Sequence, residues 1–244
     1  MKKSKTRLYI NKKISPNLMI YIKEKQHHFL KNVLRIKVQD LINIIDGVTG
    51  EWLSEVISIN RDNIVLKVKK KIFEIKDEAD LWLIFCPIKL YRMNITIQKA
   101  TELGVSRFIP CISQNTNFTK INTRNLKMNI IEATEQSERL TLPNLQETVK
   151  LNELLEKFPS DRGLIFCNEN AKNSPSIYEA LKNNLNKYKK WSVLIGPEGG
   201  FTDTEVETIL SISSAISVSL GKRILRSDTA TTAALFTVQS IISE

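Results

Sequence analysis

The spacing of apolar and polar positions changes near residue 80, and this change predicts two domains of different kinds. Before that point, apolar and polar side chains alternate in short runs, which is typical of strands in a small β-barrel or curled sheet. These predicted strands cover residues 41–45, 51–59 and 63–68. The turn signal Asp46-Gly47 separates the first two strands, and a short helix is predicted around residues 27–34.

After residue 80, apolar runs alternate with stretches whose apolar positions recur at helical spacing, which predicts an α/β domain. The predicted strands cover residues 81–86, 107–112, 164–167, 191–195 and 216–220. The predicted helices cover residues 92–103, 125–140, 151–158, 177–185, 202–210 and 229–242. The charged run between residues 69 and 78 marks the boundary, so we expect one domain over residues 1–76 and a second over residues 77–244.

Two glycine-bearing loops lie where predicted strands lead into predicted helices of the second domain. The first, IGPEGGFT, covers residues 195–202, and the second, SLGKRILRSDT, covers residues 219–229; together they hold four of the eight glycines. Glycine lets a backbone approach a ligand closely, and ligands bind at the carboxyl ends of strands in open α/β sheets. The loops therefore predict one pocket built mostly from main-chain atoms. They match neither the GxxxxGK[ST] nor the GxGxxG phosphate loop.

Several polar side chains of these loops are candidates for chemistry. Thr202 with Glu205 forms the pattern of a capping box, which predicts a helix start. Glu198 lies in a tight turn, where its carboxylate could accept hydrogen bonds from backbone amides or face a cationic ligand. Arg226 could hold a phosphate or stabilise an oxyanion, or it could pair with Asp228 or Glu198.

The positive charge of the chain is concentrated in its first third. The net charge is +10, and residues 1–78 contain 17 Lys and Arg against 9 Asp and Glu, whereas the remainder contains 19 against 17. A compositional bias towards lysine would spread the charge evenly. The distribution therefore predicts that the first domain binds a polyanion, with nucleic acid as the favoured partner.

Residue types that carry metal or nucleophile chemistry are few. Cys86, Cys111 and Cys167 are widely spaced, lack a CxxC pairing and lie in apolar runs, so we expect small core residues. His27 and His28 are the only histidines, and neighbours on a helix point about 100° apart, which makes them a poor metal pair. We therefore expect no metal, and a Ser-His-Asp triad in the second domain is excluded.

The chain also lacks the patterns of membrane and secreted proteins. No apolar run reaches the length of a membrane span, and the lysine-rich start is followed by no apolar segment of signal-peptide type. Unpaired cysteines fit a reducing compartment. We therefore expect a cytoplasmic protein without a membrane partner.

Longer motifs that include the two glycine loops resemble the RsmE-type RNA methyltransferases of the SPOUT superfamily. The central similarity is IGPEGGFT combined with LGKRILRSDTA at residues 220–230. The further matching positions are 98–107 (QKATELGVSR), Lys89 with Arg92, 135–137 with Arg139 and Pro143, and the segments 27–30, 33–35 and 46–47 of a PUA-like domain. These matches follow the right order along nearly the whole chain.

This resemblance implies a PUA-like β-barrel domain followed by a SPOUT-type α/β domain whose chain forms a trefoil knot. It implies S-adenosylmethionine as methyl donor, a homodimer with a shared active site, and N3 of a uridine in 16S ribosomal RNA of the small subunit as target. The residues expected to bind the cofactor are Leu194, Ile195, Gly196, Pro197, Gly200, Ser219, Leu220, Gly221, Ile224 and Leu225. The residues expected to contact RNA are Arg7, Lys31, Arg35, Lys89, Arg92 and Arg139.

The implied reaction also assigns catalytic roles. Once uridine N3 loses its proton, negative charge spreads over O2 and O4, and preorganised donors stabilise it. Arg226 is the expected donor, with Glu198 or Asp228 as orienting carboxylate or proton acceptor. Arg139 of the partner subunit is expected to reach the RNA.

Some positions depart from the family pattern. Thr141 stands where a second basic residue is common, which bears on RNA affinity, and Asn144 stands where an acidic residue is usual. Ser227-Asp228 stands where Thr-Glu is more common. It keeps a hydroxyl followed by a carboxylate, with the carboxylate on a shorter side chain. Two alternatives stay open: methylation of another RNA or base, and a non-catalytic RNA-binding dimer. The intact glycine loops and Arg226 favour an enzyme.

Overall fold

The computed structural model describes residues 4–169 and 173–242 of the chain. The chain divides into two compact units. One consists of Met1–Asp77 together with Thr134–Leu142, and the other consists of Glu78–Ala133 together with Pro143–Glu244. The segment Thr134–Leu142 thus belongs to the N-terminal unit, although both of its flanks belong to the other.

The N-terminal unit is built on one five-stranded sheet. Its strands are β1 (Arg7–Tyr9), β2 (Met19–Ile22), β3 (Leu41–Ile45), β4 (Glu51–Ile59) and β5 (Ile64–Phe73). Their order is β1-β3-β4-β5-β2, with β1 parallel to β3 and the other pairs antiparallel. Alternate residues such as Ile42, Ile44 and Leu66 are fully buried in the core of this unit, which confirms the period-two interpretation.

Two details of this unit differ from the sequence prediction. The third predicted strand does not end at residue 68 but continues to Phe73, through lysines that we expected to lie in a linker. The side chains of these lysines are at least partly exposed to solvent, while the backbone of this segment pairs with β4. Lys69 forms a 2.6 Å ion pair with Glu55. The predicted short helix forms as α1 (Glu24–His28) and continues as a π-helical turn over Phe29–Val33.

The C-terminal unit contains a seven-stranded parallel sheet, which confirms the predicted α/β domain. Its strands are β6 (Leu81–Phe85), β7 (Arg107–Ile112), β8 (Asn144–Leu145), β9 (Val149–Lys150), β10 (Arg162–Cys167), β11 (Lys190–Ile195) and β12 (Ala215–Val218). Their order is β12-β10-β11-β6-β7-β8. Strand β8 pairs with the start of β7, and β9 pairs with the end of β7. The strands β10, β11 and β12 are therefore neighbours, so the loops that follow them lie side by side.

Within the described residues, five helices lie between these strands and a sixth follows the last strand. They are α2 (Leu90–Glu102), α3 (Thr123–Gln136), α4 (Leu151–Glu156), α5 (Ile177–Lys182), α6 (Asp203–Leu210) and α7 (Ser227–Ile242). Helix α3 ends at Gln136 and not at residue 140, because Glu138 adopts a left-handed conformation with φ of 63° that ends a helix. Helix α7 begins at Ser227, two residues earlier than predicted.

The three cysteines are free, as the sequence predicted. Cys86 and Cys111 lie opposite each other at neighbouring strands, buried in the core with 3.7 Å between their sulfurs. Within the described residues, no helix has both the length and the apolar character needed to cross a bilayer. The same residues contain no group of three or more His, Cys, Asp or Glu side chains arranged to hold a metal ion.

Candidate cofactor and active site

A cavity of about 500 Å³ opens in the C-terminal unit where three neighbouring strands end. Its walls come from the segments after β10, β11 and β12 and from the start of α2. This volume lies in the range of about 300–1,000 Å³ that is usual for small-molecule sites. The position at the carboxyl ends of parallel strands agrees with the pocket that the glycine loops predicted.

The first glycine loop follows β11 and is shaped by close packing. A Cβ built on Gly196 would lie 2.8 Å from the ring of Phe201, and one on Gly200 would lie 2.8 Å from Oε1 of Glu169. Gly200 also has a φ of +68°, which side chains rarely allow. Gly200 therefore requires glycine for its backbone conformation, and the absence of a side chain at Gly196 leaves room for the Phe201 ring.

Hydrogen bonds from the segment after β7 hold this loop in place. The side-chain amide of Asn115 donates to the carbonyl oxygens of Gly199 and Gly200, at 3.2 Å each. Glu205 is buried, and its carboxylate accepts from the backbone amides of Gln114 at 2.8 Å and Thr202 at 3.0 Å. The capping box predicted for Thr202 and Glu205 is confirmed, and it also fastens the loop to the neighbouring strand end.

The second glycine loop follows β12 and is open towards the cavity. Gly221 has a φ of +106°, and a Cβ there would meet no protein atom within 4 Å, so the loop leaves free space on that side. The hydroxyl of Ser219 accepts from the Gly221 amide at 3.2 Å, and Ile224 is 83% exposed. An apolar side chain as exposed as Ile224 offers contact area to a ligand or partner.

Nine of the ten residues expected to bind a cofactor line the cavity: Ile195, Gly196, Pro197, Gly200, Ser219, Leu220, Gly221, Ile224 and Leu225. Leu194 is placed differently. It is fully buried in the hydrophobic core among residues such as Ile84 and Phe166, one residue before the cavity wall. Its role there is to pack the sheet beneath the first loop.

Two of the three residues expected to act in catalysis line the cavity, and the third, Asp228, lies two positions after Arg226. Arg226 and Glu198 line the cavity, and the Arg226 side chain is exposed. Asp228 lies in the first turn of α7, where its carboxylate accepts from the backbone amide of Thr229 at 3.1 Å. The Ser227 hydroxyl donates to the Gly196 carbonyl at 3.5 Å, which links the second loop to the first.

Two of the residues expected to contact RNA, Lys89 and Arg92, also line this cavity. Nη1 of Arg92 lies 3.7 Å from Oε1 of Glu198, and Nε of Arg92 donates to the Tyr91 hydroxyl at 2.7 Å. The hydrogen bond to Tyr91, together with the negative charges of Asp228 and Glu198, raises the pKa of Arg92 above its usual value. The cavity wall therefore carries a permanent positive charge beside its carboxylates.

The other four residues expected to contact RNA belong to the N-terminal unit. Arg7 is held by Glu51 through contacts of 2.6 and 2.7 Å, and its side chain is only 11% exposed. Lys31 donates to the Asn60 carbonyl at 3.1 Å, and Arg35 is exposed with a φ of 49°. Arg139 is buried and donates to the Thr141 hydroxyl at 3.3 Å. Lys31 and Arg35 are thus the more accessible of these cations.

The segment after β10 lines the cavity, and sequence reasoning did not identify it as part of the site. Cys167, Asn168 and Glu169 form this part of the wall. Burial raises the pKa of the Cys167 thiol to about 12, so it stays protonated near neutral pH. The signal that could have found this segment is its position directly after a buried strand. However, only the strand order shows that β10 lies between β11 and β12.

Comparison with known proteins identifies the family. The RNA methyltransferase domain family matches residues 76–239, and the RNA methyltransferase PUA domain family matches residues 22–69. The ribosomal RNA small subunit methyltransferase E of Rickettsia conorii is 33% identical over 234 residues, which are 96% of this chain and 94% of that protein. Its counterpart in Buchnera aphidicola subsp. Schizaphis graminum is 30% identical over 250 residues, or 98% of this chain and 97% of the relative.

A solved structure extends this similarity to the fold. The ribosomal RNA small subunit methyltransferase E of Neisseria gonorrhoeae, crystallised with S-adenosyl methionine, has a TM-score of 0.85 at 25% identity and covers 97% of each chain. These findings confirm the resemblance seen in the sequence motifs. The chain therefore belongs to the RNA methyltransferase family that includes the small-subunit ribosomal RNA methyltransferases E.

Proposed function

We propose that this protein transfers a methyl group from S-adenosylmethionine to N3 of a uridine in the 16S ribosomal RNA of the small subunit. A methyltransferase that uses S-adenosylmethionine and acts on ribosomal RNA is what its family implies. The observation that carries the proposal is the cavity between the two glycine loops, where Gly200 and Gly221 adopt backbone conformations that side chains rarely allow. The choice of N3 and of uridine rests on the RsmE-type motifs.

The residues of the cavity fit this cofactor. Backbone atoms of residues 195–200 and 219–221 can bind its polar groups, and Leu220, Ile224 and Leu225 offer apolar contact area. The cofactor supplies an electrophilic methyl group on a positively charged sulfur. The carboxylates of Glu169 and Glu198 on the same wall suit a ligand with cationic groups, as the sequence left open for Glu198.

The basic side chains of the cavity suit the RNA. Five of them line it, against the two carboxylates, and they are Lys89, Arg92, Lys222, Arg223 and Arg226. Cationic side chains near the mouth bind phosphates and stabilise negative charge on the base. In this proposal Arg226 donates to the uracil as N3 loses its proton, and Glu198 or Asp228 orients the donors or accepts that proton.

Assembly and location follow from the resemblance and remain part of the proposal. We propose a homodimer, a trefoil knot in the C-terminal unit and a cytoplasmic location. An exposed apolar surface on helices α2 and α7 supports the dimer: Leu90, Tyr91, Ile95 and Phe236 are each between 45% and 63% exposed. A surface of this kind on a folded unit is typical of a protein interface.

The test is methylation of small ribosomal subunits that lack this modification. Purified protein and S-adenosylmethionine are added, and methylated nucleosides are measured by mass spectrometry. N3-methyluridine formed by the wild-type protein and absent with the Gly200→Val variant supports the proposal. A different methylated nucleoside would support the alternative of another base, and no methylation on competent subunits would support a non-catalytic RNA-binding protein.

A further inference from the structure

Two side chains contact the Arg92 guanidinium at the cavity wall. Glu198 lies 3.7 Å from its Nη1, and the Tyr91 hydroxyl accepts from its Nε at 2.7 Å. The Arg92 side chain is only 14% exposed, against 38% for Glu198. A guanidinium that is held in this way and partly shielded from water acts more strongly on a bound group than an exposed one does.

The terminal hydrogens of this guanidinium are available to a ligand. Among residues 4–169 and 173–242, the bond from Nε to Tyr91 is its one hydrogen bond, and 3.7 Å to Glu198 is too long for another. Arg92 lines the cavity, and its Nη atoms therefore have unused donors at the cavity wall. A planar guanidinium presents these donors in a fixed geometry, which the flexible ammonium of the neighbouring Lys89 does not.

We propose that Arg92 is a catalytic residue whose Nη hydrogens bind a carbonyl oxygen of the target uracil, and that Glu198 is a positioning residue that orients it. This inference rests on the proposed function. In the reaction, the N3–H bond breaks and its proton passes to solvent. The N3 electron pair then forms the bond to the methyl carbon, while the C–S electron pair returns to sulfur and leaves a neutral thioether.

Arg92 contributes by stabilising the negative charge on the ring between proton loss and methyl transfer. The sequence led us to expect that Arg92 contacts RNA, and this role differs from a contact to an RNA phosphate. A phosphate contact strengthens binding of the RNA, whereas a donor to the uracil oxygen increases the rate of the bound complex. The two roles therefore separate when binding and single-turnover rates are measured on the same variant.

The experiment compares wild-type protein with Arg92→Ala, using unmodified small ribosomal subunits and S-adenosylmethionine. We expect the single-turnover rate at saturating subunits to fall by about 10²–10³-fold, as for loss of an oxyanion donor. Dissociation constants for S-adenosylmethionine and for subunits, measured separately by calorimetry and sedimentation, should change by no more than about threefold. In Arg92→Ala, the pH at which the single-turnover rate rises should be higher by about two pH units, because N3 of the bound uracil loses its proton less readily without this donor.

Two further variants and one additive complete the test. Added guanidinium ion should restore part of the rate of Arg92→Ala, and Glu198→Gln should lower the rate less than Arg92→Ala does. Arg124→Ala removes the same charge from the exposed first turn of α3 and should change none of these quantities. If the alanine variant does not fold, Arg92→Lys takes its place, with a slower rate and the same shift in pH dependence expected.

Weaker subunit binding with an unchanged single-turnover rate would overturn the inference and leave Arg92 as a phosphate contact. Failure of the proposed function would look different, because the wild-type protein itself would then yield another methylated nucleoside or none. That result would overturn both proposals. N3-methyluridine from the wild type, with an unchanged pH profile in Arg92→Ala, would overturn only the role of Arg92.

Discussion

The buried carboxylate of Glu205 accepts a hydrogen bond of 2.8 Å from the backbone amide of Gln114, 91 residues earlier in the chain. The same carboxylate caps the first turn of α6 through Thr202. One side chain thus joins the end of β7 to the loop that forms the cavity wall. Its removal should therefore affect both the stability of the C-terminal unit and the shape of the site.

We expect Glu205→Ala to lower the free energy of unfolding by about 1–3 kcal/mol, because it leaves the backbone amides of Gln114 and Thr202 without their acceptor on this side chain. Urea denaturation measures this loss. Glu207→Ala, on the exposed face of the same helix, is the matched control and should change stability by less than about 0.5 kcal/mol. Equal effects of the two substitutions would show that the buried contacts of Glu205 contribute nothing.

Asn115 should matter for the cofactor more than for stability. Its amide holds the carbonyls of Gly199 and Gly200, so Asn115→Ala frees the first loop to move. We expect the dissociation constant for S-adenosylmethionine to rise about 2–10-fold, in line with the loss of one or two exposed hydrogen bonds. Gln114→Ala is the control at the neighbouring position: it removes a side chain but keeps the backbone amide of residue 114 that donates to Glu205. This variant should bind S-adenosylmethionine like wild type in the same calorimetric titration.

Gly221 should tolerate a side chain poorly for reasons of conformation and not of space. With a φ of +106° and no atom within 4 Å of a built Cβ, Gly221→Ala is strained by about 1–3 kcal/mol without any clash. We expect the second loop to relax and the affinity for S-adenosylmethionine to fall about tenfold. Gly221→Asn should recover part of that affinity, because asparagine adopts positive φ more readily than alanine. Wild-type affinity in both variants would contradict this explanation.

Acid should weaken the N-terminal unit through Asp46. Burial raises the pKa of this carboxyl, but hydrogen bonds from Thr49, Ile14 and Val48 outweigh burial and hold the pKa below its usual value. A lowered pKa in the folded state stabilises the fold above the unfolded pKa of about 3.9, and this stabilisation is lost as pH falls through the folded value.

The measurement is urea denaturation between about pH 5 and pH 2. Wild-type stability should fall more steeply over this range than that of Asp46→Asn, which has no charge to lose. Asp62→Asn, in an exposed turn, serves as control and should follow the wild-type curve. Parallel curves for wild type and Asp46→Asn would rule out a contribution of Asp46 to acid unfolding.

Much of the fold could be predicted from the sequence because local signals were strong. Strands at 41–45, 51–59 and 107–112 have the predicted bounds, and the capping box at Thr202 begins a helix as expected. The predicted end of α3 lies four residues beyond the observed end, because the apolar pattern does not reveal that Glu138 adopts a left-handed backbone conformation. Termination by backbone conformation at a residue other than glycine leaves no compositional sign.

The sequence predicted only the parts of the site that contain glycine, which are the two loops. Both loops were found because glycine between a strand and a helix has a conformational meaning, and both line the cavity. The wall formed by Cys167 to Glu169 was not found, because it depends on β10 lying between β11 and β12. The contacts between Arg92 and Glu198 were also hidden, since they join residues more than a hundred positions apart.

The nine residues Thr134–Leu142 belong to the N-terminal unit, although the chain enters and leaves them from the other unit. The Tyr9 amide donates to Glu135 at 2.7 Å, and a Cβ on Gly47 would lie 3.3 Å from that of Leu142. Cutting the chain after residue 77 would therefore not yield two self-sufficient pieces. The shorter piece would lack part of its own packing, and the longer one would carry a stretch deprived of its partners, so the two units are not interchangeable modules.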